Sequence, residues 1–367
     1  MRIIFINNIP APFMVQFASK MNEFQDVDFY LVALNKEFKH RGKHWADTLS
    51  IQNNLFYYDG GIPLLKWLNE FIDRIEPDIV YTGINHGPVY DLIVSKKKQM
   101  SFLFGKWNEL YSEFSLRKKL YSPFRKLYLK RIWRHDLDFL LAIGERSMNY
   151  YRDFVSSNSK IFFYPYYEDS CKSEISKSAK HPIVFLFSGR LQKRNNIKNI
   201  SRAIIELQRK YPGKFKFIIS ASGEEKRSLD LVEENFPGQD IISYDIDFDR
   251  WDDRLRPFMN SHVLVVPSYS SGWGLVVNEA MNLGLPVIST KYVEAARYLV
   301  EHMINGMLIK CSWKAIFDSL EYFILNPEEI DRMSKNALKI DGKYSLEIGA
   351  ERLYEIFKFL VSQKKAL

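Results

Sequence analysis

Between Pro267 and Thr290 the chain reads PSYSSGWGLVVNEAMNLGLPVIST, which sets Gly272 and Gly274 seven and five residues ahead of a carboxylate, Glu279. A β-branched run, HVLVV (His262 to Val266), precedes this stretch and has the character of a buried strand. Val276, Ala280 and Leu283 then recur at helical spacing, until Gly284-Leu285-Pro286 stops the helix ahead of a second short strand, VIST. Glycine at a strand-to-helix turn lets a ligand approach the backbone. The helix start adds unpaired N–H groups at the positive end of a dipole. Such a mouth suits a phosphate. About one turn further in, the two oxygens of Glu279 could accept hydrogen bonds from the vicinal hydroxyls of a ribose. Together these residues ask for a nucleotide. A plain βαβ turn whose glutamate compensates the helix dipole uses the same residue types, so the pattern becomes specific only with a second motif.

The elements that must position these residues come from the whole chain. Its 367 residues exceed one ordinary core and suit two α/β domains. Hydrophobic residues make up 46% and charged residues 26%, a globular composition without a disordered bias. No apolar run approaches the roughly 18 residues of a transmembrane helix. The start, MRIIFINNIPAP, has four consecutive apolar residues before Asn7, too few for a secretory signal. Two cysteines, Cys171 and Cys311, lack metal-ligand spacing and fit a reducing cytoplasm. A cytoplasmic protein is expected.

Lys and Arg outnumber Asp and Glu by 52 to 44, a net charge of +8. The excess is concentrated between Arg117 and Arg134, where Lys118, Lys119, Arg125, Lys126, Lys130 and Arg131 occur with no acidic residue. Leu120, Phe124, Leu127, Tyr128 and Trp133 interleave with these charges. A basic and aromatic segment of this kind can lie on an anionic membrane surface. Nucleic acid is an alternative partner, and a solvated helix with one buried stripe is the plainest reading.

Strand-like and helix-like segments alternate through the first half. IIFIN, VDFYLVA, DIVYT, SFLFG, DFLLAIG and KIFFYP read as strands. Helices are expected over Pro12 to Met21, with Phe13, Phe17 and Met21 inward, over Leu64 to Ile75, in the basic segment, and over ERSMNYYRDF. The polar tract Glu168 to Pro182 reads as a linker. A second series follows: IVFLFSG, a helix near Ile197 to Tyr211, KFKFIISAS, a helix after Gly223, DIISY, a helix near Trp251 to Met259, and the glycine-bearing stretch. Leu346 to Gln363 forms a long amphipathic terminal helix. The fold class is α/β, with two doubly wound Rossmann-like domains facing each other across a cleft. The expected boundaries are 1–170 for an acceptor domain and 171–345 for a nucleotide-sugar domain, with helix 346–367 returning toward the first.

These motifs together resemble the family-four retaining glycosyltransferases of the GT-B fold, also called group 1 glycosyltransferases. NIPAPFMVQF is similar to the family's first loop and helix, and EPDIVYTG to its mid-domain strand. FSGRLQKRNNIKNI resembles the phosphate-binding turn, PSYSSGWGLVVNEAMNLGLPVIST the donor-site signature, and INGMLI the strand after it. By resemblance, Gly189 and Arg190 end a buried strand where the guanidinium can hold two phosphate oxygens. The family's lysine a few residues later is matched by Lys193 or Arg194, with Asn195 at the aligned position. Glu279 would bind the donor ribose, and the turn Gly272, Trp273, Gly274, Leu275 would touch the diphosphate or sugar through its backbone.

The chain also departs from the family. A sugar-contacting Glu usual eight residues before Glu279 is replaced by Ser271, which can bond a hydroxyl but brings no charge. Many relatives carry a His on a loop after a mid-domain strand. The corresponding stretch here, Phe104 to Glu113, has none, so Glu109 and the nearby His86 in GINHGPVYD are the candidates. Asp136-Leu137-Asp138 and Asp245-Ile246-Asp247 have the Asp-x-Asp pattern that binds a metal-diphosphate in the other major glycosyltransferase fold. Because the basic turn at Arg190 can neutralise a leaving diphosphate, no catalytic metal and no cofactor is expected. Tyr244 and Asp245 would then lie near the nucleotide base.

The resemblance implies retaining transfer of a sugar from a nucleotide diphosphate donor, by front-face attack assisted by the leaving phosphate. The acceptor expected is a glycan, lipid-linked as in assembly of bacterial surface polysaccharide or lipopolysaccharide. Lys118, Lys119, Arg125 and Lys126 would face the membrane or acceptor, on the inner face of the cell membrane, and no nucleic acid partner is expected. The alternatives are a nucleotide-sugar epimerase on the same fold and a non-catalytic surface-binding protein with a vestigial nucleotide site.

Overall fold

The computed structural model describes residues 1–9, 11–35, 54–110, 116–168, 180–246, 251–340 and 342–365, the side chains of 116–121, 251–252 and 365 excepted. The chain divides into two units, Met1–Asp169 with Tyr344–Leu367, and Ser170–Lys343.

In unit 1 the strands are β1 Arg2–Asn7, β2 Asp28–Ala33, β3 Leu55–Tyr57, β4 Ile79–Thr82, β5 Leu103–Glu109, β6 Phe139–Ile143 and β7 Lys160–Phe163. They pair in parallel in the order β3-β2-β1-β4-β5-β6-β7. The helices between them are α1 Pro12–Met21, α2 Leu64–Ile75, α3 Pro88–Met100, α4 Leu116–Asp136 and α5 Glu145–Tyr151. Both sheet faces are covered, which is why the strands read as unbroken apolar runs. Ile3 and Phe5 of β1 join one core with Phe17 and Phe357; Ile4 and Ile6 join the other with Tyr90 and Trp133.

Unit 2 repeats the plan with β8 Ile183–Arg190, β9 Phe215–Ser222, β10 Ile242–Tyr244, β11 Val263–Val266, β12 Val287–Ser289 and β13 Gly306–Leu308. Its order is β10-β9-β8-β11-β12-β13, again parallel throughout. The helices are α6 Ile197–Lys210, α7 Lys226–Asn235, α8 Arg256–Met259, α9 Leu275–Asn282, α10 Glu294–Leu299, α11 Trp313–Leu325 and α12 Glu328–Leu338. A last helix, α13 Leu346–Lys365, belongs to unit 1, where Leu353, Phe357 and Leu360 pack with α1.

Two local expectations are corrected. Phe13 is half-exposed, and α1 buries Pro12, Val15, Phe17, Ala18 and Met21 instead; Phe13 meets Tyr166 edge-on at 5.2 Å. Trp107, Asn108 and Glu109 stand on β5 and not on a loop, because β5 stays paired with β6 as far as Glu109–Ile143. Of the expected linker, 169–179 lies outside the described residues.

The order of strands fixes where ligands can sit. In an open parallel sheet the crevice lies outside the carboxyl ends of the strands, where the winding reverses. That point is β1/β4 in unit 1 and β8/β11 in unit 2.

Candidate functional site

In unit 2 the reversal brings together the two motifs that lie far apart in sequence. β8 ends in Gly189 and Arg190, and β11 runs into Pro267. Backbone bonds stitch the two turns, Tyr269 N–H donating to Arg194 O at 2.8 Å. Asn196, 2% exposed, adds a side-chain clamp by donating Nδ2 to Pro267 O at 3.0 Å and to Cys311 O at 3.3 Å. Asn199 Nδ2 reaches the Tyr269 hydroxyl at 2.9 Å. These asparagines and Tyr269 lie within the two motif stretches, but the sequence did not single them out.

Arg190 and Lys193 are exposed on this turn, Lys193 in a 3-10 turn with Arg194 and Asn195. Arg194 is half-buried and donates Nε to Gln192 Oε1 at 3.2 Å, while Lys193 has no side-chain partner among the described residues. Asn195, at the aligned lysine position, is a clip: its Nδ2 donates to Arg190 O at 2.6 Å and its Oδ1 accepts from Ser268 at 3.3 Å.

The glycine-bearing loop is held from behind by α10, whose first N–H groups bond the carbonyls of Gly272 at 3.3 Å and Trp273 at 2.8 Å. Ser271 N–H donates to Tyr292 O at 3.1 Å. Of the two glycines, Gly274 takes the left-handed conformation, φ +91°, and a Cβ there would stand 2.7 Å from Val293 Cγ1. It caps α9, which opens at Leu275 with no side-chain cap; Val277 N–H donates back to Gly274 O at 3.0 Å, and the N–H groups of Leu275 and Val276 are left to a ligand or water. The Trp273 side chain is fully buried, stacks on Tyr298 at 5.7 Å and donates to Asn278 Oδ1 at 2.9 Å. Only its backbone can face a ligand.

Glu279 lies in the second turn of α9 and accepts a hydrogen bond from Arg254 Nε at 3.1 Å, each side chain being 15% exposed. Arg254 was not legible in sequence, since no spacing rule joins a 3-10 turn to a helix across an intervening strand. Tyr244 is less available than expected. Its hydroxyl is buried without a hydrogen-bond partner among the described residues, and burial pushes it up to about 12. Asp245 forms an ion pair with Arg256. Burial pushes the Cys311 thiol up from its ordinary pKa, which lowers its thiolate fraction.

In unit 1 the loop after β4 is held from beneath. Asn85 accepts from Asn108 Nδ2 at 2.6 Å through its side chain and from Trp133 Nε1 at 3.1 Å through its carbonyl. Lys106 Nζ donates to Ile84 O. Alternation along β5 puts Lys106 on a core face, fully buried, 5.7 Å from the Tyr90 ring and 5.3 Å from the Trp133 ring. Burial drives its pKa well below the ordinary lysine value, and Arg125 adds to the shift. Above this support His86 is exposed, its ring edge-on to Tyr128 at 6.1 Å. Glu109 is exposed at the end of the neighbouring strand β5, and its carbonyl accepts from the Tyr151 hydroxyl at 3.0 Å. His86 follows β4 and Glu109 ends β5, so the two unit 1 candidates lie at the carboxyl ends of adjacent strands, next to the β1/β4 reversal point.

The other expectations sort by partner. Asp136 accepts from the Tyr90 hydroxyl at 3.0 Å, and Asp138 from Phe104 N–H and Lys97, each at 2.7 Å. Both lie at the amino edge of β6, where their oxygens are engaged by these partners; Asp247 of the other Asp-x-Asp lies outside the described residues. Lys126 stands 5.1 Å over the Tyr150 ring and Arg125 is half-buried, whereas the side chains of Lys118 and Lys119 lie outside the described residues.

Residues 170–340, spanning nearly all of unit 2, match the family model for glycosyl transferases group 1. Unit 2 is a group 1 glycosyltransferase domain. The chain is similar to an uncharacterized glycosyltransferase of Haemophilus influenzae, 30% identical over 142 residues, 38% of this chain and 39% of that protein. A Campylobacter jejuni GalNAc-alpha-(1->4)-GalNAc-alpha-(1->3)-diNAcBac-PP-undecaprenol alpha-1,4-N-acetyl-D-galactosaminyltransferase is 22% identical over 213 residues, 58% of this chain and 57% of that protein. The alignments thus span well under two thirds of these relatives. Anabaena HepE, solved with UDP-glucose, superposes with a TM-score of 0.73 at 13% identity over 98% of this chain and 99% of its own. That likeness extends the GT-B fold from the group 1 domain to both units.

Proposed function

We propose that the chain transfers a sugar, with retention of configuration, from a nucleotide diphosphate donor to a lipid-linked glycan at an anionic membrane surface. The observation that carries this is the bond from Tyr269 N–H to Arg194 O, which ties the Arg190 turn to the glycine-bearing loop at the unit 2 reversal point and so supports reading their cations, helix N–H groups and carboxylate as one site. The names of similar proteins support the wider reading: one binds UDP-glucose, one acts on an undecaprenol-linked glycan, and one belongs to O-antigen biosynthesis in Escherichia coli.

In this reading the diphosphate lies against Arg190, Lys193 and the first N–H groups of α9, while Glu279 takes the ribose hydroxyls. Breaking the glycosyl–phosphate bond builds negative charge on the leaving diphosphate. The two exposed cations stabilise that charge without requiring a metal, each such donor being worth roughly 3–4 kcal/mol in the transition state. Ser271 contributes a hydroxyl where a carboxylate would otherwise meet the sugar. In unit 1 the acceptor lies at the β1/β4 reversal point, beside His86 and Glu109. α4 meets the membrane.

The test is turnover of a panel of nucleotide sugars with a lipid-linked glycan and with water, the product anomer read by NMR. Acceptor-dependent product with the donor's anomeric configuration is expected. Inverted product would sink the retaining mechanism. Release of epimerised sugar without acceptor would favour the epimerase, and binding without turnover a vestigial site.

A further inference from the structure

At the amino edge of the unit 1 sheet, opposite the loops that carry His86 and Glu109, a cavity of about 550 Å³ opens where β5, β6 and β7 begin. Nucleotide sites of open α/β sheets occupy the carboxyl edge, so this cavity calls for a separate account. Its floor is apolar: Phe102, Leu103, Leu137 and Leu360 are buried, and Phe359 forms a wall that stays 43% exposed. Its rim is cationic. The last turns of α3, α4 and α13 bring Lys98, Arg134 and Lys364, and the first residue of β7 brings Lys160. Lys97, also on the rim, is neutralised by Asp138 at 2.7 Å. Lys98, Arg134, Lys160 and Lys364 form no ion pair among the described residues.

Helix ends account for part of this charge. Each C-terminus presents about half a negative charge, so three of them call for one or two cations. Four unpaired cations leave a surplus of about two. The surplus sits beside apolar side chains, which a free phosphate would not use and a polynucleotide would not need.

A second feature leads to the same rim. Along α4, Phe124 is 75% exposed, Leu127 69% and Tyr128 51%, and exposed Arg131 and Arg134 continue at helical spacing. A helix that serves only the core keeps such a stripe inward. A helix at a membrane interface turns it outward, with cations beside it.

We propose that the cavity takes one anionic phospholipid, its phosphate held by Lys98, Arg134 and Lys160 and its first acyl methylenes laid on Phe102, Leu137 and Leu360. The α4 stripe then rests in the headgroup layer. This deepens the membrane-surface part of the proposed function and is independent of the donor chemistry.

A monomeric short-chain lipid separates a cavity from surface adsorption. Calorimetry is run on the full chain with dihexanoyl phosphatidylglycerol below its micelle concentration, beside dihexanoyl phosphatidylcholine and glycerol 3-phosphate. Saturable binding of the phosphatidylglycerol near one per chain is expected. A Lys98→Gln/Arg134→Gln/Lys160→Gln variant should lose at least about tenfold in affinity, and Phe359→Ser should weaken binding while leaving the rim charges in place. No binding of the monomer, equal binding by the triple variant, or glycerol 3-phosphate binding as tightly as the lipid would each overturn the proposal. Nucleoside diphosphate binding, measured on the same samples, reports separately on the fold of unit 2 and on the donor reading.

Discussion

Glu279 and Arg254 share one hydrogen bond, and cutting it from either side should give different results. The Nε–Oε1 distance is 3.1 Å and each side chain is 15% exposed. Removing one member of a fully buried pair costs about 3–5 kcal/mol, whereas an exposed pair is worth about 0–1 kcal/mol. At this exposure a coupling of about 1–2 kcal/mol is expected. Urea unfolding of Glu279→Gln, Arg254→Gln and the double variant closes the cycle. The double variant should be more stable than the sum of the singles predicts, by that amount. Nucleoside diphosphate binding should then divide the two roles. Glu279→Gln removes a charged acceptor from the ribose hydroxyls and should cost about tenfold or more in affinity. Arg254→Gln leaves the carboxylate in place but free to turn, and should cost only a few-fold. Additive unfolding energies, within about 0.3 kcal/mol, would show that the bond carries no coupling. Unchanged affinity in a folded Glu279→Gln protein would remove the residue from the donor site.

Arg190→Ala should lower turnover by roughly 100-fold or more; near-normal turnover would dissolve the phosphate cradle. Because Arg194 is held by Gln192 and Lys193 is not, Lys193→Ala should lose more turnover than Arg194→Ala, and the reverse order would refute this assignment. Trp273→Ala should destabilise unit 2 by about 3–5 kcal/mol through loss of a buried indole; a change under about 1 kcal/mol would mean that the loop repacks freely. Burial lowers the Lys106 pKa in the fold, so between that depressed value and the ordinary 10.5 unfolding takes up a proton. Stability from this group therefore rises with pH across that window, and urea titrations of Lys106→Met should show a flatter pH profile than the wild type, parallel profiles counting against a neutral lysine.

The fold was legible because its signal is local and repeated. Unbroken apolar runs such as IIFI and FLLAI can be nothing but strands covered on both sides once helices alternate with them, and the structure places both in parallel sheets. Strand ends were harder to read. Lys106, Asn108 and Glu109 look like loop residues by polarity, yet pairing with β6 carries the strand through them. Their polarity is absorbed in ways that no periodicity reveals: a carbonyl and two aromatic rings for Lys106, an asparagine for Asn108.

Turn chemistry was legible for a different reason than partner choice. Gly274 could be read because a left-handed helix mouth excludes nearly every other residue, and Val293 behind it leaves no room for a Cβ. Glu279 could be placed one turn inside by counting. What the carboxylate would meet could not be counted, since Arg254 arrives from a 3-10 turn on the far side of β11. The same holds for Asn196, a buried amide that clamps Pro267 and Cys311 and looks in sequence like a loop residue. Sequence spacing therefore identifies the groups that one element presents by itself. The groups that hold them in register come from other elements, and they are where this chain differs from a generic nucleotide turn. A guanidinium fixed on the Glu279 carboxylate is one such difference. It makes the orientation of Glu279 a property of the 251–255 turn as well as of α9, so substitutions in that turn should shift nucleotide affinity without touching either motif.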